Sequence, residues 1–322
     1  QAPAEVSAPL IHDNTVYITA FVYDKALPRN KQKGLLFALD LATGRRKWRK
    51  VVSHGPVNAP IGTEIDGDFH VFVAARKGRL QAFDLSESTP RRRWRFQMPH
   101  EVMGSPAVET NRDDPLLFLG SKFGNLIAVD ARTGEEQWRA MTGNWVDNNA
   151  AVAEIDGRNV VFVGSHDYCV YALRARDGQR LWRQRLGGEI YSAPTVFELG
   201  DEPAVAVASL DNHLYVLNAR SGRVEMSFFT GQPVWDQIAK GETLWGSPSV
   251  LQTDRGPSLI HGSYNGYVYT LPLEGDVSLR AKVQSAANLW KGLAIVGGVF
   301  LFLVLPVVLI LPSRVNNVRE QA

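Results

Sequence analysis

The stretch Phe37–Arg49, "FALDLATGRRKWR", begins apolar, turns polar at Thr43-Gly44, and ends in a charged run carrying one Trp. The pattern recurs along the chain. It appears as "IAVDARTGEEQWRA" (127–140), "VYALRARDGQRLWRQ" (170–184) and "LYVLNARSGRVEMSF" (214–228), where Met226 replaces the Trp. It appears again as "LQAFDLSESTPRRRWRF" (80–96), lengthened at the corner, and as a frayed copy, "VYTLPLEGDV" (268–277). Each copy predicts an apolar strand, a Gly-bearing turn and a polar strand.

A second marker punctuates the copies. "SAP", "NAP", "GSP", "NNA", "SAP" and "GSP" end at Pro9, Pro60, Pro106, Ala150, Pro194 and Pro248, at intervals of 51, 46, 44, 44 and 54 residues. Repeats of about 40–50 residues with several short strands each predict a β-propeller. In the third unit the expected strands are Ser105–Glu109 (A), Leu116–Gly120 (B), Leu126–Asp130 (C) and Glu136–Met141 (D). The inner strands are rich in Val and Leu because both faces pack on neighbours. The fourth is polar because it forms the rim. A Gly at the C–D corner tolerates a backbone turn that other residues resist. The rim aromatics Trp48, Trp94, Trp138 and Trp182 are expected to cover the seams between adjacent blades. The expected fold is all-β: a six-bladed propeller of four-stranded antiparallel blades over residues 1–283.

The motif Ala-x-Asp-x-x-Thr-Gly-x-x-x-Trp resembles the repeat of the pyrroloquinoline-quinone (PQQ) propeller family. Ala38, Asp40, Thr43, Gly44 and Trp48 match it in full, as do Ala128, Asp130, Thr133, Gly134 and Trp138. The copy at Ala172 keeps Gly178 and Trp182 but has Arg174 for the Asp, and the copy at Val216 keeps Gly222 alone. The family includes PQQ-dependent dehydrogenases, which look like eight-bladed propellers with an adjacent Cys pair and calcium ligands. This chain has six units, one cysteine (Cys169) and no haem-attachment motif. The family also includes a lipoprotein propeller of the outer-membrane barrel-assembly machinery, which binds protein partners. This chain departs from it in blade count and in how it would be anchored. No cofactor is expected. "SHD" at 165–167 and "SLDNH" at 209–213 hold triad residue types, but both fall at the B–C turn, where Ser121 and Ser263 recur, and read as turn residues.

Composition adds few constraints. Hydrophobic residues make up 45% and charged residues 21%, as in ordinary globular chains, and a net charge of +2 gives no reason to expect nucleic acid. Basic runs such as Arg91-Arg92-Arg93 read as solvated positions. A single Cys excludes an intrachain disulfide. The start at Gln1 rather than Met fits a removed signal peptide.

The segment Leu293–Leu311, "LAIVGGVFLFLVLPVVLIL", changes the picture more. It is 19 residues without a charge, 15 of them Leu, Ile, Val or Phe. At helical rise it spans roughly 30 Å, and those 15 side chains favour insertion by roughly 4 to 9 kcal/mol. We expect a linker over 284–291, a transmembrane helix in the bilayer over 292–312, and a cytoplasmic tail over 313–322. The propeller then sits in the periplasm on a single pass through a bacterial inner membrane.

Loops position the candidate contacts. In an up-and-down blade the B–C and D–A connections share one face. The long insertions Tyr23–Gly34 and Gly231–Trp245 both fall there, with Lys31 and Lys240. Met103, Tyr191 and Trp245 each stand three positions before an anchor Pro, and Trp145 and Trp235 lie in the same kind of connection. These seven residues are the candidate partner-binding set, because Trp, Tyr and Met are enriched at interface cores. The short link to residue 289 turns this face toward the membrane. The function expected is a non-enzymatic scaffold among other membrane-complex subunits. The alternatives are a ligand- or glycan-binding ectodomain and, more remotely, a degenerate PQQ dehydrogenase.

Overall fold

Runs with period-two patterning, closed by Gly, Asn and Asp turns, pair with their sequence neighbours in every repeat. The computed structural model describes residues 4–22, 32–85, 89–110, 114–229, 246–253, 256–262, 268–273 and 281–283. These residues contain strands and turns and no α-helix. The first sheet holds β1 (Ala4–Val6), β2 (Leu10–His12), β3 (Thr15–Val22), β4 (Lys33–Asp40) and β5 (Arg46–Ser53). The second holds β6 (Ile61–Ile65), β7 (Asp68–Ala75), β8 (Arg79–Asp84) and β9 (Arg91–Gln97). The third holds β10 (Ala107–Val108), β11 (Leu116–Gly120), β12 (Asn125–Asp130) and β13 (Glu136–Met141). The fourth holds β14 (Ala151–Ile155), β15 (Arg158–Gly164), β16 (Cys169–Arg174) and β17 (Arg180–Arg185). The fifth holds β18 (Thr195–Leu199), β19 (Glu202–Ala208), β20 (His213–Asn218) and β21 (Val224–Phe229). The sixth holds β22 (Ser249–Thr253), β23 (Gly256–Gly262), β24 (Val268–Pro272) and β25 (Ala281–Val283).

All pairings are antiparallel and follow chain order, except that β1 and β2 both pair with β3. The arrangement is that of propeller blades. The inner strand of the third sheet is shorter than the sequence predicts. Ser105 N–H turns sideways to Asn149 Oδ1 at 2.6 Å, so it makes no ladder bond to β11.

The C–D corner explains the conserved spacing within each copy. Asp130 Oδ1 accepts from the N–H groups of Arg132 and Thr133, both at 2.8 Å, and Gly134 takes φ +78°. Asp40 does the same for Thr43, accepting from its N–H at 2.9 Å and its hydroxyl at 2.7 Å. Where the Asp is missing, Asn218 Oδ1 accepts from Arg220 and Ser221, and Asp177 caps Gln179. A register shift follows each corner. It sets Trp138 opposite Ala128, Trp48 opposite Ala38, Trp94 opposite Ala82 and Trp182 opposite Ala172.

Those indoles reach across to the next sheet. Trp94 Nε1–H donates to Ala131 O at 2.9 Å, Trp138 to Ala175 O at 2.8 Å and Trp182 to Ala219 O at 2.8 Å. The rings lie flat on the corner glycines. A Cβ on Gly134, Gly178 or Gly222 would sit 2.5, 2.6 or 2.6 Å from a ring carbon. Glycine is therefore needed twice at these corners, for its positive φ and for the ring above it. Apolar clusters fill each seam between successive sheets, for example Leu117, Leu119, Ile127 and Val129 against Phe72, Leu80 and Ala82.

The chain divides into two compact units at Gln284/Ser285, and every described residue lies in the first. Among the described residues no helix is long and apolar enough to cross a membrane. The span expected at 292–312 lies outside them, as do its linker and tail.

Candidate interaction site

The D–A connections that carry Val102, Val146 and Ile190 each thread between two B–C turns. Val146 N–H donates to Ser121 O of the third sheet (3.1 Å), and Trp145 O accepts from His166 N–H of the fourth (2.9 Å). The next connection repeats this, with Ile190 N–H on Ser165 O (3.2 Å) and Leu210 N–H on Glu189 O (2.9 Å). Val102, Val146 and Ile190 are buried as pegs. Their neighbours on either side, Glu101 and Met103, Trp145 and Asp147, Glu189 and Tyr191, are thereby held beside the turns.

His166 is the centre of one such group. Its ring lies 3.8 Å from the Tyr191 ring and 5.6 Å from that of Trp145. Its Nε2 is 3.8 Å from Asp147 Oδ2. Burial pulls the His166 pKa down to about 4, so the ring is neutral. Burial pushes Asp147 up to about 6; Lys122 opposes that shift and Glu101 adds to it. Tyr191 is raised by burial and by its hydrogen bond to Glu189. Lys122 pairs with Glu101 at 3.3 Å and lies 4.9 Å over the Trp145 ring.

Beside this group stands Phe123, 66% exposed, against the ring of His100 at 4.5 Å. Its φ is +75°, an outlier for a bulky aromatic. The equivalent positions of the next two sheets hold Asp167 and Asp211, neither at positive φ. Such strain, of order 1–3 kcal/mol, concentrates at functional surfaces. Trp145, 39% exposed, lies under Lys122, the residue before Phe123 in the same turn.

The structure thus brings Trp145 and Tyr191 together on one histidine. Met103 stands one sheet back at the same register, half-buried. Lys31, Trp235, Lys240 and Trp245 lie outside the described residues. Sequence reasoning missed Asp147, Lys122 and Phe123, and read His166 only as a turn residue. Asp147 was findable, since it stands three before the Ala150 anchor as Met103 and Tyr191 stand before theirs. Phe123 was marked by an aromatic in a Gly-Asn turn.

The triad residue types do structural jobs. Ser165 Oγ donates to Asn144 O (3.1 Å), and Asp167 accepts from Gly143 N–H (2.8 Å) and from the Tyr171 hydroxyl. Asp211 accepts from Tyr215 in the same way at 2.5 Å. Cys169 is buried, with Arg183 Nε donating to its Sγ at 3.1 Å. Among the described residues no group of three His, Cys, Asp or Glu side chains could hold a metal ion.

The family model for outer membrane protein assembly factor BamB matches residues 4–158 and 122–291. The chain belongs to this BamB-type family of PQQ-like propellers. Solved structures agree on the fold. BamB from Moraxella catarrhalis is 17% identical with a TM-score of 0.53, matching 70% of this chain and 64% of its own. The computationally designed Ika8 protein is 15% identical with a TM-score of 0.60, matching 82% and 69%. The quinohemoprotein alcohol dehydrogenase ADHIIG from Pseudomonas putida HK5 is 14% identical with a TM-score of 0.56, matching 86% and 52%. The chain therefore spans about two thirds of the Moraxella BamB chain and about half of the dehydrogenase. At these identities the likeness concerns the fold alone. No curated protein matches by sequence.

Proposed function

We propose that this chain is a non-enzymatic accessory subunit of a membrane protein complex. Its six sheets close as a six-bladed propeller, held by residues 292–312 in the inner membrane with the propeller on the periplasmic side. Its B–C and D–A face docks a protein partner. The observation that carries the reading is the exposed pair Phe123 and Trp145, one strained and one capped by Lys122, backed by the buried His166–Tyr191 stack. Rigid aromatics on a buried support are the usual anchors of a protein interface. Membership of a family described as an assembly factor agrees with such a role. A dehydrogenase reading would need an adjacent Cys pair, and Cys169 is the chain's one cysteine.

A second reading, a small polar ligand held at the same face, has one observation in its favour. Asp147 Oδ1, Asn148 Oδ1 and His166 Nε2 are buried without a hydrogen-bonding partner among the described residues.

Site-specific photo-cross-linking in native membranes tests the docking face. A cross-linker at Phe123 should give a discrete protein adduct, and one at Thr43, on the opposite C–D corner, should give none. Trp145→Ala should weaken the complex by about 2 kcal/mol, roughly 30-fold. Equal labelling at both positions, or none at Phe123 in folded protein, would sink the proposal.

A further inference from the structure

Two neighbouring rim strands carry the densest positive charge among the described rims. Residues 45–50 hold Arg45, Arg46, Lys47, Arg49 and Lys50, and residues 91–95 hold Arg91, Arg92, Arg93 and Arg95. That is nine cations and no carboxylate. The whole chain carries +2, so removing these +9 leaves −7 for everything else. The third and fifth rims are mixed, with Glu135, Glu136 and Arg139 in one and Arg223 and Glu225 in the other, and the fourth carries three cations, Arg180, Arg183 and Arg185.

Few of the nine are neutralised. Lys47 pairs with Asp40 at 3.8 Å and Arg93 with Asp84 at 3.6 Å. Arg45, Arg46, Arg49, Arg91, Arg92 and Arg95 are exposed, with no carboxylate partner among the described residues. The register gathers several of them on one seam. Arg92 stands opposite Phe83 and Arg95 opposite Gln81. Phe83 packs against the first sheet, and Gln81 Nε2 donates to Val52 O of that sheet at 2.7 Å. From the other side Lys50 lies 5.7 Å over the Phe83 ring and donates to Pro90 O. Val51, the next residue on the same rim strand as Lys50, is an exposed apolar residue.

We propose that this rim is a contact surface for anionic lipid, with the edge of the first two sheets lying on the phosphate headgroups of a bilayer. Guanidinium forks match phosphate oxygens, and an ammonium adds point charge. The remainder of the chain is acidic on balance, so this edge is the one drawn most strongly to the headgroups. A bilayer is favoured over nucleic acid because the proposed membrane span already holds the chain beside one. The inference rests on that reading.

The test uses the full chain with Val51→Cys carrying an environment-sensitive dye; Cys169 is buried and spared. The protein is placed in nanodiscs of phosphatidylcholine alone or with phosphatidylglycerol. Entry into both disc types reports the span. A blue shift confined to phosphatidylglycerol discs reports the rim. The shift should vanish when Arg46, Arg49, Arg92 and Arg95 are all changed to Gln, and survive when they are changed to Lys. Raising salt from about 0.1 M to about 1 M, which shortens the Debye length from about 10 Å to about 3 Å, should abolish it. Equal emission in both discs overturns the proposal, as does an equal shift when duplex DNA is added to neutral discs. If the chain enters neither disc type, the span reading fails alone. The rim is then read by flotation on phosphatidylglycerol vesicles, where equal flotation of the Gln set and the unchanged protein overturns it.

Discussion

The third and first sheets are written in the same motif, yet they sit differently. In the third sheet Leu117, Leu119, Ile127 and Val129 are buried to 1% exposure or less under the second sheet. The matching residues of the first sheet, Val16, Ile18, Phe37 and Leu39, are all only half-buried. Ala131 is fully buried beneath the Trp94 ring, whereas its counterpart Leu41 is 48% exposed. A Cβ on Gly134 would collide with that ring, whereas one on Gly44 would meet nothing within 4 Å. The sixth rim places Ala281 opposite Thr270 at the register where four other rims place Trp and the fifth places Met226. A repeat motif therefore specifies a blade, while the neighbour that completes the motif's seat comes from another copy.

The largest test of this contrast is Trp182→Ala. It removes the ring from Gly222 and leaves Ala219 O without its donor, and should cost about 4 kcal/mol in urea unfolding. Next comes a pair of glycines. Gly178→Ala sets a Cβ 2.6 Å from the Trp138 ring at φ +71°, and should cost about 3 kcal/mol. Gly44→Ala, at φ +67° in open space, should cost only the left-handed strain of about 1 kcal/mol. Equal losses at the two sites would remove the seat from the account.

Acidity acts on the well-seated side of this comparison, because Asp147 follows the third sheet and meets His166 of the fourth. His166, neutral in the fold at pKa about 4 against an ordinary 6.5, contributes stability that is full above pH 6.5 and is lost as pH falls toward 4. Asp147, raised to about 6 from 3.8, acts oppositely: its charged form is disfavoured in the fold, so acidification from 6 toward 4 restores stability. The two partly cancel. Asp147→Asn should unmask the histidine, making stability fall by up to about 2 kcal/mol more than in the unchanged protein between pH 6.5 and 4. A pH series of urea midpoints reads this, and parallel curves would contradict it.

The smallest effect is a gain. Ala281→Trp offers the sixth rim an indole for the Gly44 seat. If the sixth sheet closes on the first, it should stabilise by about 1 kcal/mol, an effect lost when combined with Gly44→Val. No gain, or a gain indifferent to Gly44, would count against closure.

Much of this was legible in the sequence because it is local. The Asp-Thr-Gly corner, the Trp four residues beyond the Gly and the strand order all follow from spacing within one copy. The indole's seat was also present, as a constant 40-residue step from Trp94 to Gly134, Trp138 to Gly178 and Trp182 to Gly222. What the sequence hid is what spans copies. Asp147 and His166 meet because a D–A connection and the next B–C turn are pegged together by Val146 and Ile190. The sister turns take their positive φ one position later, at Tyr168 and Asn212, so comparing copies could not reveal that of Phe123.

Native-state hydrogen exchange tests the central claim most directly, since it reads every seam at once. Amides of Leu117–Leu119 and Val161–Val163 should exchange only through global unfolding, while those of Val16–Ile18 and Ile260 exchange through smaller openings. Trp182→Ala should move Val205–Val207 into the faster class. Uniform protection across all six sheets, unchanged by that substitution, would contradict the account.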